Sequence, residues 1–256
     1  MARPNQDGKR FGNKFHYNSY SQRSDEPDST RKIILGLGDS VLFGGVMIDQ
    51  DSIATSLFSK ETGKQMLNIS AGSWGPDNCA AYLRKYGLFG AKAMFLVVSS
   101  HDAYDNMTFE KVVGKSASYP NKQYWCAWAE LFDRYLIPRL FKKKDNASPD
   151  QKVLDGSGIR KDGKVFNPGF AALDSIANKA GIPLIVYLHA DREELADGKY
   201  NDQGQQIIQW ANENKVTLIK ELEYHFTEQD YRDGIHMSVS GQRKLANIME
   251  KYLKDI

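Results

Sequence analysis

Three short segments of this 256-residue chain carry side chains that could act together on a carbonyl group. Gly38-Asp39-Ser40 offers a hydroxyl on a tight turn. Asp233-Gly234-Ile235-His236 offers a carboxylate and an imidazole three residues apart. Ser70-Ala71-Gly72-Ser73-Trp74-Gly75 offers a glycine-containing turn. A hydroxyl nucleophile, an imidazole base, a carboxylate that orients it and N–H groups that receive an oxyanion are the parts of nucleophilic acyl transfer. Each segment alone has a plainer reading. Ser40 could cap a helix, Asp233 and His236 could be a loop carboxylate and a surface histidine, and Gly72 and Gly75 could mark only a turn. Their joint occurrence at the ends of strands makes the case.

The strands are short apolar runs that stop at polar residues. Runs at 33–38, 66–69, 93–98, 183–188 and 216–219 read as five buried strands. Helical patterns fall at 51–60, 77–87, 122–141, 168–180, 203–214 and 240–254, with 225–238 as loop. Strands alternating with helices, each strand a continuous apolar run, imply a parallel sheet covered on both faces. The expected architecture is a doubly wound α/β/α sandwich with a five-stranded, mostly parallel sheet. In such sheets ligands bind beyond the carboxyl ends of the strands. Besides the three segments above, Ser99-Ser100-His101-Asp102 and His189-Ala190-Asp191 follow strands and share that rim. No metal-ligand convergence is read from His101, His189 and Asp191, so no metal and no organic cofactor is expected.

Residues 1–31 read as an extended arm whose aromatics, Phe11, Phe15, Tyr17 and Tyr20, dock on the domain. Residues 32–256 read as a single domain with an insertion at about 103–167. The insertion holds a helix with Trp125, Trp128, Leu131, Phe132, Tyr135 and Leu136 at helical spacing, a Lys142-Lys143-Lys144 run taken as a solvated helix end, and glycine turns at 155–158 and 162–163. Its aromatics, Tyr104, Tyr119, Tyr124, Trp125 and Trp128, are expected mainly in a core. Any faces left exposed would suit sugar rings.

Composition bounds the rest. The chain is 41% hydrophobic and 26% charged, which excludes wholesale disorder, a collagen-like fibre and a coiled-coil rod. A net charge of +2, from 34 basic and 32 acidic residues, gives no field to recruit nucleic acid or an anionic membrane. No apolar run approaches a membrane span. Cys79 and Cys126 cannot build a disulfide framework and read as two free, buried thiols. The polar N-terminus has no signal-peptide core and resembles the middle of a loop. The expected location is extracytoplasmic, periplasmic or secreted, if an upstream signal or anchor was trimmed, and cytoplasmic otherwise. Oligomeric state is not legible.

The segment Ile34-Leu35-Gly36-Leu37-Gly38-Asp39-Ser40 resembles the first block of the SGNH/GDSL hydrolase superfamily. Asn68-Ile69-Ser70-Ala71-Gly72-Ser73-Trp74-Gly75 is similar to the second block, and Asp233-Gly234-Ile235-His236-Met237-Ser238-Val239-Ser240-Gly241 to the last. Asn18-Ser19-Tyr20-Ser21-Gln22-Arg23 is similar to a segment that precedes the first block in some bacterial, envelope- or polysaccharide-associated members. The resemblance covers roughly 31–254 apart from the insertion. It implies the flavodoxin-like SGNH fold, with Ser40 as nucleophile, His236 as base and Asp233 completing the triad. The amides of Ser40 and of Gly72 or Ser73 would receive the oxyanion. The family's third block is Gly-x-Asn-Asp, whose asparagine donates to the oxyanion. Here His101 stands in that place. Asp39, Trp74, Asp102 and His189 are candidate residues of a substrate rim. The implied activity is hydrolysis of short acyl esters, on a small molecule or a carbohydrate. The alternatives are an acyltransferase on the same triad and a weakened carbohydrate-binding domain.

Overall fold

The computed structural model describes residues 1–111, 113–114, 124–137 and 161–256. The described chain falls into two compact units, 1–106 with 162–256, and 107–161.

The larger unit is built on five parallel strands: β3 (Ile33–Gly38), β4 (Gln65–Ser70), β5 (Ala93–Ser99), β6 (Leu184–His189) and β7 (Thr217–Lys220). All residues of β3, β4, β5 and β6 are buried, which explains why these strands read as apolar runs, broken in β4 by the buried, hydrogen-bonded Asn68. The spatial order is β4-β3-β5-β6-β7. Strand order therefore reverses between β3 and β5, the switch point of a flavodoxin-like sheet, where a crevice opens at the carboxyl edge. The register aligns that edge. Gly38 pairs with Ser70, and Ser99 pairs with His189.

Alternate strand residues feed two cores. Leu35, Leu37, Leu67 and Ile69 face one layer with α3 (Pro76–Tyr86), the helix Gly169–Ala180 and the helix Asp202–Glu213. Ile34, Met66 and Phe95 face the other layer, with α1 (Ser40–Phe43), α2 (Ala54–Thr62) and the final helix Val239–Leu253. This is a three-layer α/β/α sandwich. Burial of each such Leu or Ile contributes about 1.5–3 kcal/mol, so both layers are needed to offset chain entropy.

Two short helices fall outside the expected set: α1, which begins at Ser40, and Arg192–Asp197, capped by the Asp191 carboxylate on the amides of Glu193 and Glu194. The arm also differs from expectation. It is a β-hairpin, β1 (Gln6–Arg10) and β2 (Asn13–Tyr17), followed by a buried turn. Phe11 (φ 51°) and Gly12 (φ 85°) are both left-handed, the type I′ pattern that matches strand twist. Phe11 is exposed at this tip and is not docked. Tyr17 stacks on Phe43 at 6.1 Å, and Tyr20 packs its edge on Phe89 at 4.9 Å.

In the smaller unit the described helix is α4 (Ala127–Glu130), continued by a π-helical stretch Leu131–Leu136. Trp125 and Trp128 are 88% and 70% exposed, which corrects the expectation that they lie in a core. Helical spacing identifies residues that share a face, not whether another element covers it. Tyr119, the lysine run and the 155–158 turn lie outside the described residues. Both cysteines are free; Cys79 is buried and Cys126 half-buried. Among the described residues no helix is long and apolar enough to cross a membrane.

Candidate active site

Ser40 opens α1 directly beyond β3. Gly38 makes this turn tight: a Cβ there would sit 3.0 Å from both the Val97 carbonyl and the Leu42 Cβ. Asp39, 4% exposed, caps the turn by accepting the Val41 amide at 2.8 Å. A four-residue helix cannot satisfy its own carbonyls, so other elements must do so. Gln242 donates to the Val41 carbonyl at 3.0 Å, Asn68 to that of Leu42 at 3.2 Å and Arg23 to that of Phe43 at 2.7 Å. Arg23 also donates to the carbonyls of Gly45 and Ile48, at 2.6 and 2.7 Å. It is 1% exposed and lies over the Phe43 ring. The buried turn of the arm is thus a clamp on the serine's helix. Nothing in the polarity of Asn18-Gln22-Arg23 marked it as interior.

His236 comes from a loop closed on itself. The Arg232 amide donates to the His236 carbonyl at 2.7 Å, and Tyr231 bridges Met237. His236 Nε2 lies 2.9 Å from Ser40 Oγ, and Nδ1 lies 2.9 Å from both Asp233 oxygens. Asp233 Oδ1 also accepts the amides of Ile235 and His236, at 3.1 and 2.8 Å. Burial alone would raise the Asp233 pKa, but the two amides and the imidazole bring it down to about 2. An ionised Asp233 accepts only, so the proton sits on Nδ1 and the Nε2 lone pair faces the Ser40 hydroxyl. The arrangement can take a proton from Ser40 and hold the resulting imidazolium.

The second turn spans Ala71–Trp74, with the Trp74 amide donating to the Ala71 carbonyl at 3.3 Å. Its left-handed residue is Ser73 (φ 60°), not the glycine beside it. Trp74 is half-buried and packs against Tyr82.

The expected rim residues are mostly interior, which corrects that reading. Asp39 caps α1. Asp102, 1% exposed, accepts the Ser99 amide at 2.8 Å. His189 is fully buried because β6 runs one residue further than its apolar run. Its ring lies between Glu221 Oε2 (2.5 Å) and the Ile235 carbonyl (2.6 Å). Burial lowers the His189 pKa, yet Glu221 and the carbonyl outweigh it and the net shift is upward.

His101 is 42% exposed in its side chain. Its Nε2 lies 3.6 Å from Asp105 Oδ2 and 4.0 Å from Asp39 Oδ2. Ligand atoms of Asp39, His101 and Asp102 fall within 4.8 Å of one another. Three donors could meet a cation, but each aspartate already spends a carboxylate oxygen on a backbone amide. Glu221, Tyr231 and Asp105 were not singled out from the sequence, and Arg23 was noted only within the 18–23 segment, without a role. The placement of Glu221 directly after β7 and of Tyr231 two residues before Asp233 was the available signal.

No family model matches the chain, and no curated protein matches it in sequence. Solved structures do match in fold. A member of the lipolytic G-D-S-L family from Veillonella parvula superimposes with a TM-score of 0.51 at 11% identity, over 88% of this chain and 100% of that one. A protein described as lipolytic, of the same family, from Desulfitobacterium hafniense gives 0.50 at 8% identity, over 86% and 99%. The chain therefore has the three-layer α/β/α fold of the SGNH/GDSL hydrolases.

Proposed function

We propose that the protein is an ester hydrolase that removes short acyl groups through Ser40, His236 and Asp233. The observation that carries this reading is the continuous chain from Ser40 Oγ through the His236 ring to Asp233, 2.9 Å at each link. Ser40 Oγ attacks the acyl carbonyl as His236 Nε2 takes its proton. Asp233 keeps the imidazole in the required tautomer and stabilises the imidazolium. The imidazolium then returns the proton to the leaving alcohol. Water, deprotonated by the same nitrogen, releases the acid from the Ser40 ester.

The oxyanion is assigned to the amides of Ser40 and of Gly72 or Ser73, with His101 as a third donor. The first-turn amide of Ser40 has no intrahelical acceptor, which suits it to this role. A carbohydrate ester is the favoured substrate class. The likeness of Asn18-Ser19-Tyr20-Ser21-Gln22-Arg23 to a segment of polysaccharide-associated members of the resembled family supports it.

The test is hydrolysis of p-nitrophenyl acetate and of an acetylated sugar. Turnover of both, lost in Ser40→Ala with native folding, is the expected result. Full activity in a folded Ser40→Ala variant contradicts the triad, and turnover of the aryl ester alone contradicts the sugar assignment.

A further inference from the structure

The peptide that joins Ile235 to His236 is gripped at both ends. Its N–H, that of His236, donates to Asp233 Oδ1 at 2.8 Å. Its carbonyl, that of Ile235, faces His189 Nε2 at 2.6 Å. A carbonyl oxygen only accepts, so Nε2 carries a proton. His189 Nδ1 faces Glu221 Oε2 at 2.5 Å, and both side chains are fully buried. Glu221 also receives the Tyr187 hydroxyl on Oε2 at 2.6 Å, and its Oε1 faces the Tyr231 hydroxyl, whose one proton has the Ala190 carbonyl at 2.7 Å as a second acceptor. The Glu221 charge and its hydrogen bond raise the His189 pKa against the effect of burial. A carboxylate opposite Nδ1 in turn calls for a proton on Nδ1, so His189 is the imidazolium.

A buried ion pair is not by itself a source of stability; removing one partner is what costs. What this pair supplies is direction. The plane of the 235–236 peptide sets the backbone from which His236 projects toward Ser40. We infer that His189 is a positioning residue for the triad: by donating to the Ile235 carbonyl it fixes that peptide plane and, through it, the aim of the His236 ring. The inference rests on the hydrolase reading above.

The groups facing His189 come from every side. Glu221 follows β7, Tyr187 lies on β6 itself, and Tyr231 stacks on the imidazole with centroids 5.5 Å apart. Asp39, beyond β3, adds its charge at longer range. Burial, followed by the Glu221 charge, holds the Tyr187 and Tyr231 hydroxyls protonated far above neutrality. His189 is therefore the member of this group that loses its proton first as pH rises. Its raised folded-state pKa gives the sign: the grip is complete below the ordinary imidazole range and is lost as pH climbs through the folded-state value.

Two readouts test this. In the wild-type protein, 15N-histidine NMR at pH 7 should give two ring N–H signals for His189. The His236 amide should lose exchange protection at the pH where one of them disappears. A single ring N–H, or protection indifferent to that titration, overturns the inference. The variants separate positioning from bulk stability. In His189→Asn the amide nitrogen reaches only the Glu221 side. In His189→Gln it reaches the Ile235 carbonyl. His189→Asn should lower kcat for p-nitrophenyl acetate roughly ten- to a hundredfold with little change in KM, and lower His236 amide protection similarly. His189→Gln should recover most of both. Equal losses in the two variants, or wild-type protection in His189→Asn, contradict the inference. Absence of ester turnover in the wild-type protein contradicts the hydrolase reading instead, and amide protection then decides the positioning role separately.

Discussion

The chemistry open to Ser40, His236 and Asp233 depends on which proton each side chain holds. Asp233 is ionised to about pH 2 because two amides and an imidazole N–H converge on it. Its pKa is depressed in the folded state, so its contribution to stability is present above the ordinary aspartate value and is lost as pH falls toward 2. Acid unfolding of Asp233→Asn should therefore be less steep than that of the wild type between pH 4 and about pH 2, which a pH series of thermal midpoints reads. The same geometry ranks the triad. Ser40→Ala should remove about 10⁶-fold in kcat and Asp233→Ala roughly 10⁴-fold, because a poorly oriented imidazole still accepts a proton. His101 is the residue at which the chain departs from its resembled family. If its ring donates to the oxyanion, His101→Ala lowers single-turnover acylation about a hundredfold, and His101→Asn restores much of it. Rates in His101→Ala equal to the wild type would exclude that role.

At the scale of the element, the triad is held by groups far from it in sequence. The carbonyls of α1 are met from the arm, from β4 and from the last helix, by Arg23, Asn68 and Gln242. Arg23→Ala would leave the carbonyls of Phe43, Gly45 and Ile48 without this donor and should cost about 3 kcal/mol or more, measured by denaturant unfolding. Arg23→Lys should recover little, since an ammonium cannot reproduce the fork. These contacts also show where the sequence was readable. β3 to β6 were legible because doubly covered strands are largely apolar runs, and β7, of which only Ile219 is buried, from the short 216–219 run. The helices α2 and α3, and the two that flank β6 and β7, were legible from their apolar period. The hairpin was not, because its turn is Phe11-Gly12 rather than Asn-Gly, and its polar partners are buried by hydrogen bonding rather than by apolar character. His189 was misplaced by one residue. The apolar run of β6 ends at Leu188, but the strand continues through His189, and that single step moves the imidazole from a rim to the interior. The loop segments were legible as a set because Ser40, Gly72 and His101 each lie just past a buried strand, while Asp233 and His236 lie between β7 and the last helix. Glu221 and Tyr231 were not, because a buried network is specified by contacts between distant elements.

Over the whole molecule, residues 107–161 form one compact unit and residues 1–106 with 162–256 another. The Asp162 amide donates to the Asn106 carbonyl at 2.7 Å, so the two ends of the insertion meet at its base. Replacing 107–161 by a short glycine linker should therefore leave a cooperatively folding domain that still turns over p-nitrophenyl acetate. A molten or aggregated product would contradict the independence of the larger unit. Loss of acetylated-sugar hydrolysis with retention of the aryl ester would assign substrate recognition to the insertion.

A Ser40 hydroxyl activated by His236 should react with a fluorophosphonate. Intact mass should show one adduct per chain at neutral pH, mapped to the peptide containing Ser40, absent in Ser40→Ala and greatly slowed in His236→Ala. No adduct on the folded wild-type protein, or one that persists in Ser40→Ala, would contradict the account.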